Sequence, residues 1–396
     1  MVQRVLILPI FQMPSGHHQV ADTVADFIEE EFSEVYCRKR DLITYCGSGL
    51  ETVVSKSYVK WIKHFPASYH YIYNQSMEKS SSDKSDNAFM KRISDYFERK
   101  MIELIAEEGP DVIICTHSFP SSILNRLKMK GLLVTPIINI YTDFFISSLW
   151  GKTHIDYHFV PNRACKELLV DEYGISENRV TITGIPIHPI FSKKTKQSGN
   201  ERKRLLVAGG NIGLGNIEEF ISKIHEDMAL TVLCGKNEKL YKLLTSKNYK
   251  NIDVYPYISS TKKINELYDQ ADAIITKPGG ITVSEALAKG LPIFTVHALP
   301  GQERENLEYL KQEQLICPLT EKEVVSGKLL QMLEDELLRA KFEKQIARYL
   351  SEIEMPTEQA LKQVLSNLEP TEDRLVKPGL RRRNKQLTRK KTSKSK

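Results

Sequence analysis

Apolar and polar positions alternate along this chain in blocks of strand and helix length. Near the start, QRVLILPI is an apolar run, QMPSGHH a polar turn, and VADTVADFIEEEF carries apolar residues at helical spacing, which predicts a β-turn-α unit. The stretch AFMKRISDYFERKMIELIAEE predicts a long helix ending at Gly109-Pro110 and feeding the strand DVIICT, with LLVTPIINIYTD and IDYHFVPN as later strands. These strands read as continuous apolar runs between helices, so the sheet they build is expected to be parallel and covered on both faces.

The pattern then stops and restarts. KKTKQSGNERKR has no apolar period, and beyond it come the strand RLLVAGG, the glycine turn NIGLGN, the helix IEEFISKIHE, the strand LTVLCG, the helix KLYKLLTSK and the strand NIDVYPY. The helix KKINELYDQ, the strand DAIITK, a glycine pair, the helix VSEALAK and the strand PIFTVHA follow. Two such units predict an α/β protein of two Rossmann-like, doubly wound domains facing a cleft, with ligands at the carboxyl ends of the strands. The boundaries expected are residues 1–190 for the first domain, 191–203 for a linker and 204–352 for the second domain. Residues 353–372 are expected to form a C-terminal helix packing back on the first domain, and 373–396 a basic disordered tail. The polar segment SMEKSSSDKSDN, residues 76–87, reads as a flexible loop.

A length of 396 residues agrees with about two domains, and 41% hydrophobic with 27% charged residues excludes wholesale disorder or a fibrous repeat. No apolar run reaches the roughly 20 residues of a membrane-spanning helix, and MVQRVLILPI reads as a first strand rather than a secretory signal. The six cysteines show no CxxC pair or His-Cys spacing, and Cys115 and Cys234 lie in strand-like runs, as buried thiols of a reducing compartment would. Charge is uneven. Ten of the 56 Lys and Arg fall between Lys377 and Lys396 with no acid among them, which leaves 46 bases against 50 acids in the rest. Such a tail suits anionic lipid headgroups or nucleic acid, and equally a solubilising extension without a fixed partner.

Three places join glycines to strand-helix junctions. In Gly209-Gly210-Asn211-Ile212-Gly213-Leu214-Gly215 missing side chains would let backbone N–H groups approach an anion, although a structural turn explains it equally. In Pro278-Gly279-Gly280 a strand runs into a helix bearing Thr282, Ser284 and Glu285. Its N-terminus offers N–H donors to a diphosphate, and Glu285 is placed either to hold ribose hydroxyls or to offset the helix dipole. Pro300-Gly301-Gln302-Glu303, followed by Asn306, combines a carboxylate with amides, which suits a hydroxyl-rich ligand as well as a surface turn.

ITKPGGITVSEALAKGLPI followed by PGQERENLEYL resembles the donor-binding signature of the family 28 glycosyltransferases, specifically the processive diacylglycerol glucosyltransferases and monogalactosyldiacylglycerol synthases. SGHHQVADTV, YTDF before Trp150 and VTITGIPI extend the resemblance through most of the chain. It implies a GT-B fold, a UDP-hexose donor on the second domain, a diacylglycerol-type lipid entering from the first, and inverting transfer of glucose or galactose. Carried over by residue, Gly279 and Gly280 touch phosphate, Glu285 the ribose, Gln302 and Glu303 the sugar, and Gly210 and Gly213 complete the diphosphate cradle. Tyr257 and Ile258 stand where relatives hold uracil. Gly16-His17 matches the family's Gly-His, making His17 the candidate general base, and Asp143 would orient that base or the acceptor. The chain departs from the family at Pro14-Ser15 and at Ser147, both on the acceptor side.

Glycine-loop N–H groups and a helix dipole would stabilise the leaving diphosphate, so no cofactor or essential metal is expected, nor a nucleic-acid partner. Tyr58, Trp61 and Phe65 share a helical face interleaved with Lys56, Lys60, Lys63 and His64, which suits an anionic membrane surface as well as a packed core. The expected location is cytoplasmic, peripheral to the inner face of the cell membrane. A UDP-N-acetylglucosamine-dependent transferase, a 2-epimerase and a non-catalytic UDP-sugar sensor remain alternatives.

Overall fold

In the computed structural model, which describes residues 2–10, 16–47, 88–191, 202–209, 221, 228–295, 298–319 and 328–368, the strands form two parallel sheets. The first half runs β1 (Arg4–Leu8), α1 (Gly16–Glu31), β2 (Tyr36–Lys39), α2 (Leu42–Tyr45), α3 (Ala88–Glu108), β3 (Val112–Cys115) and α4 (Ser118–Met129), then β4 (Ile137–Ile140), β5 (Tyr157–Val160), α5 (Arg163–Glu167) and β6 (Val180–Ile182). The second runs β7 (Arg204–Ala208), β8 (Ala229–Leu233), α6 (Glu238–Ser246), β9 (Ile252–Tyr255), α7 (Thr261–Gln270), β10 (Ala273–Thr276), α8 (Gly280–Ala288) and β11 (Ile293–Thr295). It closes with α9 (Gln302–Gln312), β12 (Cys317–Pro318), α10 (Lys328–Glu334), α11 (Glu336–Ser351) and α12 (Thr357–Asn367).

The central strands β3, β4 and β10 are buried at every residue, because helices cover both faces of each sheet. In α1 the buried residues Val20, Ala21, Val24, Ala25 and Ile28 repeat at helical spacing and form the stripe that seals the first sheet. Each fully buried Val or Ile of this kind contributes about 1.5–3 kcal/mol relative to exposure. One apolar cluster runs from Val5, Ile7 and Val24 in the first half to Ile281, Val283 and Leu310 in the second, so the halves share a packed boundary.

The sheet orders are β2-β1-β3-β4-β5-β6 and β12-β11-β10-β7-β8-β9. In the first the order reverses between β1 and β3, in the second between β7 and β10. Those are the switch points where loops leaving neighbouring strands diverge and open a crevice. The two sheets are the doubly wound pair that the apolar pattern predicts.

The last described helices return to the first half. Tyr349 Oη donates to Pro161 O at 3.0 Å, the Glu354 carboxylate accepts from Ile182 N at 3.1 Å and Lys166 Nζ at 2.7 Å, and Lys362 of α12 pairs with Glu31 of α1. All six cysteines are free, with Cys115, Cys165 and Cys234 buried and the other three half-buried. No helix among the described residues is long and apolar enough to cross a membrane.

Candidate active site

At the first switch point, the segment after β1 leads to His17 in the first turn of α1, and the loop after β3 carries Thr116 and His117. Thr116 Oγ1 donates to the main-chain oxygen of His17 at 3.1 Å, which ties the two loops together. His17 Nδ1 stands 2.7 Å from Thr142 Oγ1, and its ring meets that of His117 edge to face, with centroids 4.7 Å apart and planes at 88°. Donation from Nδ1–H to the threonine hydroxyl leaves His17 Nε2 with a lone pair for a proton.

His117 has no such choice of roles. It is the N-cap of α4, and its Nδ1 accepts the main-chain N–H of Phe119 at 3.0 Å. The proton of the neutral ring is therefore on Nε2. Burial holds His117 well below the ordinary imidazole range, with the neighbouring His17 and His18 pushing the same way. Burial also lowers His17, while the negative field of Asp143 acts against it.

Asp143 is bound to the opposite domain. Its Oδ1 accepts from Asn306 Nδ2 at 2.9 Å, and Gln302 Nε2 lies 3.4 Å from its Oδ2. Asn306 Oδ1 in turn accepts the Phe144 N–H at 2.8 Å, and Asn162 Nδ2 donates to Phe144 O at 2.8 Å, so the Thr142-Asp143-Phe144 turn is held from both sides. Burial raises the Asp143 carboxyl, and His17 and Asn306 offset part of that rise. The direct hydrogen-bond partner of His17 is thus Thr142, and Asp143 acts on the imidazole through its field.

Across the cleft, Gly279 caps α8, and Gly280 packs against the same turn. A Cβ on Gly280 would fall 1.9 Å from Thr142 O and 3.1 Å from Ile185 Cδ1. Thr142 therefore touches the candidate base through its side chain and the second domain's helix N-terminus through its main chain. One turn into α8, Glu285 Oε2 accepts from Tyr268 Oη at 2.9 Å, and burial pushes its carboxyl up to about 7. Glu303 Oε2 accepts the Leu299 N–H at 2.8 Å, and its Oε1 lies 3.6 Å from Lys277 Nζ, joining the Pro278 and Pro300 loops. Gly301 adopts φ 95°, a conformation that favours glycine, and so turns the chain into α9.

The structure thus brings His17, Asp143, Gly280 and Gln302 to one cleft, with Gly279 and Glu285 on the helix that lines it. Tyr257 is 49% exposed, with Lys236 Nζ 5.4 Å from its ring centre, and Ile258 is half-buried against the core. Gly210, Gly213, Tyr58, Trp61 and Phe65 lie outside the described residues. Ser147 is buried, and its carbonyl accepts from Lys152 Nζ at 3.2 Å. Thr142, His117 and Tyr268 are site residues that sequence reasoning missed. The only cue to the histidine was its place directly after the strand DVIICT.

Residues 17–187 match the family model for monogalactosyldiacylglycerol (MGDG) synthase, and residues 199–349 match that for glycosyl transferases group 1. The uncharacterized glycosyltransferase YkoN of Bacillus subtilis (strain 168) is 37% identical over 322 residues, covering 80% of this chain and 84% of the relative. The processive diacylglycerol beta-glucosyltransferase of the same organism is 29% identical over 351 residues, covering 84% and 88%. Among solved structures, the glycosyltransferase SnogD from Streptomyces nogalater superposes with a TM-score of 0.57 at 14% identity, covering 93% of this chain and all of that one. That likeness places the two sheets in the GT-B fold.

Proposed function

The chain belongs to the glycosyltransferases, in the family of the monogalactosyldiacylglycerol synthases and processive diacylglycerol glucosyltransferases, and on that premise we propose that it moves glucose or galactose from a UDP-hexose to a diacylglycerol-type lipid with inversion at the anomeric carbon. The observation that carries the reading is the Thr142-Asp143 turn, where the imidazole of one domain and the amide-rich loop and helix N-terminus of the other converge.

In this mechanism the Nδ1–H tautomer of His17, held by Thr142, accepts the acceptor hydroxyl proton on Nε2. The freed oxygen bonds to the anomeric carbon while the bond to the diphosphate breaks, its electron pair leaving with UDP. Negative charge growing on the diphosphate faces the N-terminus of α8, where the N–H groups from Gly280 onward and the helix dipole stabilise it, the Gly279 N–H being given to Lys277 O at 2.8 Å. Glu285 holds the ribose, Gln302 and Glu303 the sugar, and the backbone at Tyr257 and Ile258 the uracil. Asp143, beside both Gln302 and His17, stabilises the imidazolium as it forms. No step calls for a resident metal. Holding donor, acceptor and base in one arrangement can supply about 7–11 kcal/mol toward the barrier.

The lipid acceptor lies in a bilayer, so the enzyme works at a membrane surface, and the ten basic residues from Lys377 to Lys396, with no acid among them, favour the anionic inner face of the cell membrane. The test is incubation with labelled UDP-glucose or UDP-galactose in mixed micelles of diacylglycerol and anionic lipid, followed by organic extraction. Lipid-soluble label from one donor supports the reading and names the sugar. Label confined to water overturns it in favour of another acceptor, a 2-epimerase or a UDP-sugar sensor.

A further inference from the structure

The first switch point holds two imidazoles of opposite hydrogen-bonding character. His117 spends Nδ1 on the Phe119 N–H, so its remaining nitrogen is a donor. His17 spends Nδ1 on Thr142, and in the tautomer required of a base its remaining nitrogen is an acceptor. Neither Nε2 has a hydrogen-bond partner among the described residues, and both residues are half-buried. The ring centres are 4.7 Å apart. This pair offers one acceptor and one obligatory donor side by side.

A lone hydroxyl would be satisfied by His17. The second ring, able only to donate, suits an oxygen with lone pairs and no hydrogen, and an ester carbonyl next to the free hydroxyl of a glycerolipid is such an oxygen. Building on the reaction proposed above, we propose that His117 is an acceptor-positioning residue, its Nε2–H binding an ester carbonyl of the lipid while His17 takes the proton of the neighbouring hydroxyl. The pair then selects a hydroxyl flanked by an ester over a hydroxyl flanked by an ether, whose oxygen accepts hydrogen bonds more weakly. Burial of His117 serves this role, since a ring protonated on Nδ1 would lose the cap of α4.

The test compares dioleoylglycerol with the dialkyl ether of the same chains, in mixed micelles with labelled UDP-hexose, for the wild type and His117→Ser. Serine keeps a capping oxygen for the Phe119 N–H but has no donor that reaches the cleft. Thermal denaturation confirms that the variant is folded, and UDP affinity is measured alongside. The wild type is expected to favour the ester, and His117→Ser to lower kcat/KM about tenfold on the ester while changing little on the ether, with UDP affinity retained. Equal activity of variant and wild type on the ester, or equal losses on both lipids, overturns the inference alone. A wild type that labels neither lipid overturns the reaction itself, and the inference with it.

Discussion

Asn306 reaches across the cleft to Asp143, its Nδ2 lying 2.9 Å from the carboxylate while its Oδ1 accepts the N–H of the next residue, Phe144, at 2.8 Å. One buried amide thus satisfies a donor and an acceptor of the opposite domain at once, holding the closed arrangement where the proposed base and donor loops meet.

Replacing Asn306 by Leu keeps the bulk and removes both bonds. The Phe144 N–H loses its partner and Asp143 keeps only Gln302, at a cost of about 1–3 kcal/mol. A lowered urea midpoint with unchanged slope, together with a fall in kcat, is the expected result.

Gly280→Ala tests closure without touching either domain's interior. The three atoms nearest the new Cβ belong to Thr142 and Ile185, all across the cleft, so the second domain accepts the methyl only by standing away from the first. UDP affinity should hold within a few-fold while transfer falls by about 10²-fold, since a shift of roughly 1 Å in the reacting groups costs that much.

Glu285 predicts how pH acts on donor binding. Burial lifts its carboxyl from 4.5 to about 7, so the folded chain keeps a proton that the unfolded chain has lost. Its contribution to stability is therefore full below the ordinary value and is lost as pH rises through about 7. Ribose hydroxyls donating to the ionised form reverse the sign for the ligand, and UDP should bind more tightly as pH rises through the same range. The Tyr268 hydrogen bond lowers this carboxyl, so Tyr268→Phe should move the midpoint upward. Titration calorimetry with UDP between about pH 5 and 9 reads both effects.

His17→Ala separates binding from transfer. Loss of a general base predicts a drop in kcat of about 10²- to 10⁴-fold with UDP affinity intact. Burial holds the wild-type imidazole below its ordinary value of 6.5, so kcat should begin to fall only at pH values more acidic than that. A variant with full activity would remove His17 from the mechanism.

The long apolar strands β1, β3, β4 and β10 and the helices α1 and α3 were legible because their burial pattern repeats in the residues themselves. Strand β2, with the sequence YCRK, was not, since it lies at a sheet edge with its polar residues exposed, and β12 is only two residues long. Helix α4 opens with SFPSS, which reads as a turn until His117 is seen capping it. The candidate site divides in the same way. His17, Gly280 and Glu285 stand in motifs that a single segment displays. Thr142 and Tyr268 owe their place to contacts between segments more than a hundred and nearly twenty residues apart, and Asn306, though visible beside its motif, gave no hint of its partner. The nearness of His17 to His117 follows from the pairing of β1 with β3, which nothing local encodes.

Around Glu354 the chain returns from the second half to the first, and the bonds to Ile182 and Lys166 pin that return. The helices α11 and α12 thus act as a strap across the boundary, since separating the halves would have to break the Glu354 bonds or the Lys362–Glu31 pair.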